Sequence, residues 1–269
     1  MMFVSDEQYE IALKNGIKKS TVYARVYKYG WDIQKAITTK TMSKSECSKK
    51  YPDFVYESLK KNNIKRTTFG ERIHNGWNVL DACSIPPNKK KEYRAKNAII
   101  TNKKFLTVGI NNIKQQLFEP IKNTEYSNKP SGGLWSSPYN EDGEYKSDWL
   151  RFCIESDFNT HKINHGVLFT LHKDSRICII NSMEDLEKIY ELYKGNGIEG
   201  YSFYQKTLDF EKLASDYDAI YLTDEGQWKT RFPRDSMLGK SINLYGWDVE
   251  TLLVLNFYCI KKWEHIDLE

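Results

Sequence analysis

A glycine pair and two hydroxyl side chains surround a tryptophan in the segment that reads KPSGGLWSSP from 129 to 138. Gly133 lacks a side chain, so a flat ligand can approach its backbone closely. The indole of Trp135 offers a large face on which an aromatic ring can stack, and Ser136 and Ser137 add hydrogen-bonding groups beside it. These residues together predict a binding site for a planar ring.

A carboxylate at Glu250 comes directly before the apolar run TLLVLN. Such a group beside a sugar stabilises the positive charge that builds up when a glycosidic bond breaks, so Glu250 is the predicted catalytic residue. Asp248 lies two residues earlier and would share the same face of an extended strand, which makes it the rival candidate. This chemistry needs no metal, and none is predicted, because no paired Cys/His pattern of a zinc site is present.

Strands and helices must hold these groups together. The apolar patterns predict strands at 105–110, 166–172, 176–181, 218–224 and 250–260, with the turn KDS joining the second and third. They predict helices at 182–193, capped by Ser182, and at 209–217. Because strands dominate without regular alternation with helices, this part of the chain is expected to be of the α+β class.

The order of these segments resembles that of the ADP-ribosyltransferase family. Gly133-Leu134-Trp135-Ser136-Ser137 has the form of the family motif whose aromatic ring stacks on nicotinamide. The helix that follows this motif is matched from Ser147 through Trp149 to Cys153, and Glu250 matches the late glutamate that polarises the ribose. The resemblance covers residues 105–269 and implies a mixed, mainly antiparallel β domain of this type.

The resemblance also implies that NAD is bound, with Gly133, Trp135, Ser136 and Ser137 around the nicotinamide end. Trp135 and Glu250 would then face each other across one cleft. The first strand of the family usually offers a histidine or arginine to NAD. Here the matching FLTVGINN offers Thr107 instead, with Asn111 or Asn112 as substitute hydrogen-bond donors.

Charge divides the chain unevenly. Residues 1–100 carry 20 lysines and arginines against 10 acidic residues, and the remainder carries 20 against 26. This split predicts two parts with different partners, the basic part facing an anionic one.

The five cysteines are scattered without a CxxC pair, no apolar run is long enough to cross a membrane, and no secretory signal opens the chain. A cytoplasmic protein without a membrane partner is therefore expected.

The basic part contains an internal repeat. The segment NGIKKSTVYARVYKYGWDIQKA (15–36) aligns with NNIKRTTFGERIHNGWNVLDA (62–82) once one residue is dropped before the Gly-Trp pair. Arg25 aligns with Arg72, and Trp31 with Trp77. Each copy predicts short helices in a helix-turn-helix arrangement, with a capping box of Ser5 and Gln8 on the first helix and Ser20 as the cap of the second.

Basic and hydroxyl side chains cluster at the start of the second helix in each copy, which predicts contacts to nucleic acid. The units resemble helix-turn-helix repeats of phage proteins, some of which bind protein instead. The predicted nucleic-acid-binding residues are Lys18, Lys19, Ser20, Thr21, Tyr23 and Arg25, with Lys65, Arg66, Thr67, Thr68 and Arg72 in the second copy.

Four segments are expected from these patterns: repeat units at 1–41 and 42–87, a basic linker at 88–104 and the transferase-like domain at 105–269. The leading hypothesis is an ADP-ribosyltransferase-like protein that the repeats bring to a nucleic acid or nucleoprotein complex, with a protein or nucleobase as the acceptor. A phage factor acting in the host cytoplasm against host defence, as some anti-CRISPR proteins do, would combine these parts. One alternative is a non-catalytic DNA- or RNA-binding or inhibitor protein with a degenerate transferase fold. The other is a nuclease using Asp218, Asp224 and Glu225.

Overall fold

The structure of the chain is a computed structural model, which describes residues 4–39, 50–75, 77–87, 98–125, 127–197 and 202–268. The chain divides into two compact units, Met1–Tyr51 and Pro52–Glu269. The first unit holds one copy of the repeat, and the second holds the other copy together with the β-rich part. Gly76 and most of the predicted linker, from 88 to 97, lie outside the described residues.

The first repeat folds into short helices around a small apolar core. Its elements are α1 (Asp6–Lys14), α2 (Lys19–Tyr23), a π-helical continuation of α2 (Ala24–Lys28) and α3 (Ile33–Thr38). The predicted capping box of Ser5 and Gln8 at the start of α1 is confirmed. The buried side chains are Val4, Ala12, Ile17, Val22, Val26, Ala36 and Ile37.

The second repeat has the same three helices: α4 (Asp53–Lys61), α5 (Arg66–His74) and α6 (Val79–Ser84). Here α5 is a regular α-helix, whereas the first copy carries its one extra residue in the π-helical segment. A π-helical turn takes up an inserted residue without breaking the helix. From α6, Leu80 packs against the apolar core on one face of the β-sheet.

An arginine locks the third helix in both repeats. Arg25 donates to the carbonyls of Ala36 at 2.8 Å and Thr39 at 2.6 Å, and its guanidinium lies 4.8 Å from the centre of the Trp31 ring. Arg72 donates to the carbonyls of Ala82 and Ile85 at 2.9 and 2.6 Å and lies 4.9 Å from Trp77. These bonds satisfy carbonyl groups at a helix end that no residue of the helix can reach.

Within the residues that the structure describes, the β-rich part is built on one sheet of seven strands. They are β1 (Phe105–Val108), β2 (Leu134–Pro138), β3 (His165–Leu171), β4 (Ile177–Ile180), β5 (Ala219–Leu222), β6 (Thr251–Val254) and β7 (Ile260–Asp267). The order across the sheet is β4-β5-β6-β2-β1-β3-β7, and all neighbours are antiparallel except β4 and β5. The mixed, mainly antiparallel sheet predicted from the sequence is thereby confirmed.

The helices that accompany this sheet include α7 (Asp148–Glu155), α8 (Met183–Leu192), α9 (Phe210–Asp216) and α10 (Asp224–Thr230). The predicted cap of Ser182 on α8 is confirmed, since its hydroxyl accepts from the backbone N–H of Asp185. Among the described residues, every helix is too short or too polar to cross a bilayer.

Side chains of β6 alternate between two apolar cores, one on each face of the sheet. Leu253 belongs to the first core, with Trp247, Phe210 and the inner side of α8. Leu252 and Val254 belong to the second core, with Phe105 and Tyr221. Because alternate side chains of a strand point to the same face of the sheet, this alternation decides which residues near β6 can contact each other.

One sequence prediction about strands needs correction. The predicted strand 250–260 is two strands, because Leu255 and Asn256 donate their backbone N–H groups to the carbonyl of Asp218 and the Asn256 side chain accepts from the N–H of Tyr258. The two strands predicted on either side of the KDS turn are present as β3 and β4, with β3 near one edge of the sheet and β4 at the other edge beside β5.

Candidate functional site

Three neighbouring strands carry the segments predicted to bind NAD. In the order β6-β2-β1, β2 brings Trp135 opposite Leu253 of β6, and Ser137 opposite Leu106 of β1. These segments are far apart in the chain and come together because antiparallel pairing makes them adjacent. The strand order therefore places the tryptophan segment between the predicted first motif and the predicted carboxylate.

A pocket of about 130 Å³ opens on the Trp135 face of this sheet. Its walls include Trp135 from β2, Trp149 from α7, and Asp248 and Thr251 from the segment entering β6, with Lys129 at one side. The volume is well below the roughly 300–1,000 Å³ that encloses a drug-sized ligand. It therefore suits a single ring, with the rest of a larger ligand lying outside.

Trp135 is held in place by aromatic and cationic contacts. Its ring lies edge-on to Trp247, with 4.7 Å between ring centres, and the ammonium of Lys129 lies 5.2 Å from its centre. Trp247 is fully buried and donates its indole N–H to the carbonyl of Asn128 at 2.7 Å. Lys129 also donates to the carbonyl of Gly246 at 2.8 Å. The indole is thus fixed before any ligand arrives, which lowers the entropy cost of binding.

Trp149 supplies a second aromatic wall from the first turn of α7. Ser147 caps this helix by accepting from the N–H of Leu150. The Trp149 ring stacks on Phe152, with an interplanar angle of 19°, and meets Phe158 edge-on. Two indoles from separate elements therefore border one small pocket, an arrangement that suits a flat heteroaromatic ligand.

Asp248 is the carboxylate of this pocket. Its Oδ1 accepts from Nη2 of Arg231 at 2.7 Å, and 18% of its side chain is exposed. Gln227 of α10 donates to the carbonyls of Trp247 and Asp248, at 3.3 and 3.2 Å. Gln227 within α10 and Arg231 directly after it thereby hold the segment that carries the carboxylate.

Glu250 lies on the other face of the sheet, so the expectation that it faces Trp135 across one cleft is wrong. Its carboxylate accepts from the hydroxyl of Tyr221, a residue of the second core, and lies 3.6 Å from Nζ of Lys103. Burial, together with the bond to Glu250, holds the pKa of Tyr221 well above its usual range. Because neighbouring side chains of a strand point to opposite faces of the sheet, Glu250 and Thr251 lie on different faces. Asp248 reaches the pocket because it comes before the first residue of β6, where this alternation does not apply.

The glycine pair has a packing role. Gly132 and Gly133 adopt φ angles of +77° and +65°, and the N–H of Gly133 donates to the carbonyl of Glu119 at 2.8 Å. A Cβ on Gly133 would lie 2.6 Å from the carbonyl oxygen of Val254 and 2.8 Å from Cδ1 of Ile121. The glycines therefore let a neighbouring loop and β6 approach β2, instead of making room for a ligand ring as predicted.

The predicted hydroxyl ligands are used inside the protein. Ser137 is fully buried, and Ser136 donates to the carbonyl of Leu252 at 2.8 Å. Thr107 donates to the carbonyl of Trp135 at 2.9 Å. Of these three, only Ser136 borders the pocket, and its hydroxyl proton is already taken. These residues tie β2 to its neighbours, which corrects their expected role as cofactor ligands.

Asn111 and Asn112, the suggested substitutes for the first motif, border a different cavity. That cavity has a volume of about 410 Å³ and is also lined by Phe118, Gly133 and Leu134. Leu134 packs with the second core, away from the Trp135 face. Neither asparagine lines the pocket of the two indoles.

Most basic residues predicted to contact nucleic acid are exposed. Lys18, Lys19 and Ser20 are exposed at the start of α2, as are Lys65, Arg66 and Thr67 at the start of α5, while Thr21 and Thr68 are half-buried. Tyr23 is 60% exposed, and its ring lies 4.8 Å from that of Tyr27.

Two details of this surface differ from the prediction. Lys18, rather than Ser20, is the N-cap of α2, so Ser20 lies inside the helix. Arg25 and Arg72 do not reach outward to a base edge, because their guanidinium groups bind carbonyls of their own repeats. The pairing of an arginine with a tryptophan five or six residues later in both copies was the sequence signal for this internal role.

The suggested nuclease carboxylates are not assembled. Asp218 accepts from Arg176 through both oxygens, at 2.9 and 3.2 Å, and from Asn256 at 3.0 Å. Burial alone would raise the pKa of Asp218, but these bonds hold it below its usual value. Asp224 and Glu225 are exposed on α10, and Glu225 pairs with Lys229. Asp218 thus forms a structural ion pair.

Three residues of the site escaped prediction. Lys129 and Trp247 fix Trp135, and Arg231 fixes Asp248. The dipeptide Trp247-Asp248, which also occurs as Trp31-Asp32, gave no sign of a pocket because tryptophan is commonly a core residue.

Comparison of the chain with protein-family models, curated proteins and solved structures gave no match.

Proposed function

We propose that the β-rich part is an ADP-ribosyltransferase-like domain that binds the nicotinamide end of NAD between Trp135 and Trp149. The observation that carries the proposal is the meeting of these two indoles and the Asp248 carboxylate at one pocket. The strand order β6-β2-β1 supports it, because the three segments aligned with the family's motifs lie in neighbouring strands or directly before one of them. The proposal covers the finer fold type as well as the activity.

The residues present fit this ligand in chemistry and in size. The indoles stack on a planar ring, and the pocket holds one ring only. NAD supplies a glycosidic bond whose cleavage releases nicotinamide with the bonding electrons, while the ribose carbon bonds to an acceptor that loses its proton to solvent. Asp248, held in place by Arg231, would stabilise positive charge on the sugar. This assigns to Asp248 the role first predicted for Glu250.

The helical repeats would direct this domain to a nucleic acid or nucleoprotein complex. Their exposed lysines and the Tyr23–Tyr27 pair combine positive charge with aromatic faces, which suits phosphates and bases. Such a combination would suit a phage factor against host defence. A protein or a nucleobase would be the acceptor.

The test is direct. Binding of NAD to the full-length protein is measured by calorimetry, and transfer is followed with labelled NAD in a host lysate. Trp135→Ala is expected to weaken NAD binding at least tenfold, and Asp248→Asn to abolish transfer while NAD still binds. Glu250→Gln, with an unchanged melting temperature, is the matched control and should retain transfer. Loss of transfer in Glu250→Gln but not in Asp248→Asn would reverse the assignment.

A specific observation favours one second function, a non-catalytic binding or inhibitor protein with a degenerate transferase fold. Thr107 stands where the family offers a histidine or arginine, and its hydroxyl is bonded to the Trp135 carbonyl. Absence of NAD binding by wild-type protein, combined with nucleic-acid binding, would establish this alternative.

A further inference from the structure

An exposed aromatic and basic surface lies next to the pocket. We define it as the α10 patch, made of residues 228–245. The exposed fractions of its large side chains are 77% for Trp228, 56% for Phe232, 64% for Leu238 and 45% for Tyr245. A stretch of this kind usually marks an interaction site, since isolated exposed aromatics are ordinary but a cluster of them is not.

Two rings of the patch, Phe232 and Tyr245, are held in place by each other and by Phe203. Phe203 contacts Phe232 and Tyr245, both with 5.6 Å between ring centres, and the latter two lie 6.2 Å apart. Asn243 supports them by donating to the carbonyl of Phe203 at 2.8 Å and accepting from the N–H of Tyr245 at 3.1 Å. Prearranged aromatic faces bind flat partners without paying for ordering.

Charge decides the kind of partner. Residues 228–245 contain four cationic side chains and one acidic one. Lys229 and Arg231 pair with Glu225 and Asp248, whereas Arg234 and Lys240 are exposed and have no ion-pair partner among the described residues. Exposed rings interleaved with free cations are the combination that binds single-stranded nucleic acid, because bases stack on rings and phosphates meet the cations.

The patch is continuous with the pocket. Tyr245 directly precedes Gly246, which borders the pocket, and Arg231 of the patch bonds Asp248 at 2.7 Å. The backbone N–H of Leu244 donates to the carbonyl of Thr230 at 2.9 Å, which ties the two ends of the patch together. A strand lying on these rings would therefore reach the mouth of the pocket.

We infer that the α10 patch binds single-stranded nucleic acid by base stacking and presents it to the Trp135 pocket as the acceptor. A nucleophilic atom of a base would then replace nicotinamide on the ribose carbon and lose its proton to solvent. The use of the strand as acceptor rests on the proposed function, whereas the binding of the strand does not.

The experiment measures binding of fluorescein-labelled single-stranded DNA and RNA, and of duplex DNA, to the full-length protein by anisotropy. All variants carry Lys18→Gln, Lys19→Gln, Lys65→Gln and Arg66→Gln, so that the repeats contribute little. Trp228→Ala and Phe232→Ala should each weaken single-strand binding about tenfold, the usual loss for one stacked base. The control is Trp263→Ala, a 42% exposed tryptophan on β7, which should bind as tightly as the parent.

Salt dependence gives an independent reading. Arg234→Gln and Lys240→Gln should each reduce the slope of log affinity against log salt by about 0.7, the value for one phosphate contact on a single strand. Equal single-strand affinity in the parent, Trp228→Ala and Phe232→Ala would overturn the inference, as would a preference of the parent for duplex. Both results would leave a protein as the partner for the patch.

The two proposals fail separately. Trp135→Ala should lose NAD binding and keep single-strand binding, while Trp228→Ala should do the reverse. If the parent binds single strands through Trp228 but wild-type protein does not bind NAD, the binding site stands and the acceptor role falls. If NAD binds and the strand does not, only the α10 patch is refuted.

Discussion

Replacing Gly133 by alanine tests how the glycine pair shapes the site. Its φ of +65° belongs to the left-handed region, and a Cβ there would lie 2.6 Å from the carbonyl oxygen of Val254. The two nearest side-chain atoms, Cδ1 of Ile121 and Cδ1 of Leu253, would lie 2.8 and 2.9 Å away. The carbonyl belongs to the neighbouring strand β6 and can move only if the pairing of β2 with β6 changes.

Two costs add in this variant. A left-handed conformation costs a residue with a Cβ about 1–2 kcal/mol. Forcing an extra carbon into a packed region costs about 1–3 kcal/mol more. We therefore expect Gly133→Ala to lower the free energy of unfolding by about 2–5 kcal/mol, a large part of the stability of an ordinary domain.

The measurement is urea unfolding followed by circular dichroism and by tryptophan fluorescence. Gly246→Ala is the control within the same compact unit. Its φ is +92°, and a Cβ there would meet only Cδ of Lys129 at 3.5 Å, an ordinary contact. The control should therefore show the conformational cost of about 1–2 kcal/mol alone.

Equal destabilisation in the two variants would refute the packing argument for Gly133. So would a Gly133→Ala protein with wild-type stability that has lost NAD binding, because that result would return the glycine to the ligand-contact role that its sequence motif suggested.

Two substitutions and one labelling experiment test the supporting structure. Arg72→Lys should destabilise the second repeat by about 2 kcal/mol in thermal unfolding, because an ammonium cannot hold two carbonyls and the Trp77 ring together; unchanged stability would contradict the arginine lock. Asp218→Asn should cost about 2 kcal/mol at pH 7, a value reduced because Arg176 is 38% exposed. Because the pKa of Asp218 is lowered in the folded protein, its carboxylate contributes fully to the free energy of unfolding above about pH 4. This contribution is lost on acidification, so the stability difference between Asp218→Asn and wild type should shrink below that pH. A stability difference that stays constant down to pH 2 would exclude the ion pair as its source. Burial raises the pKa of the Cys259 thiol to about 12, so it should react with a disulfide reagent at pH 8 only after unfolding, as mass spectrometry of labelled peptides would show.

The sequence was most informative where one local rule decided the outcome. The capping residues Ser5 and Ser182 marked helix starts because a side-chain oxygen satisfies a backbone N–H that nothing else reaches. Strands β1, β3, β4, β5 and β6 were found from β-branched and aromatic runs, whereas β2 was not predicted and β7 was predicted only at its first residue. The break after Val254 was missed, because it depends on the carbonyl of Asp218, which lies 36 positions earlier than Val254 and directly before another strand.

The candidate site was predicted only in part. Trp135 and the helix of Trp149 were identified from their motif, and both border the pocket. The choice between Asp248 and Glu250 could not be made from spacing, because the alternation rule holds within a strand and β6 begins only at Thr251. The glycines and serines were assigned to a ligand because close approach to a ligand and close approach to a neighbouring strand demand the same small residues.

The widened turn at Ala24–Lys28 has a consequence for how tandem copies of this unit diverge. One copy has a residue more than the other, yet the guanidinium of each still meets its indole at nearly the same distance. The π-helical turn takes up the extra residue, so the third helix that follows keeps its position relative to the arginine. Copies of such a unit can therefore differ in length by one residue while the contact between arginine and tryptophan stays intact.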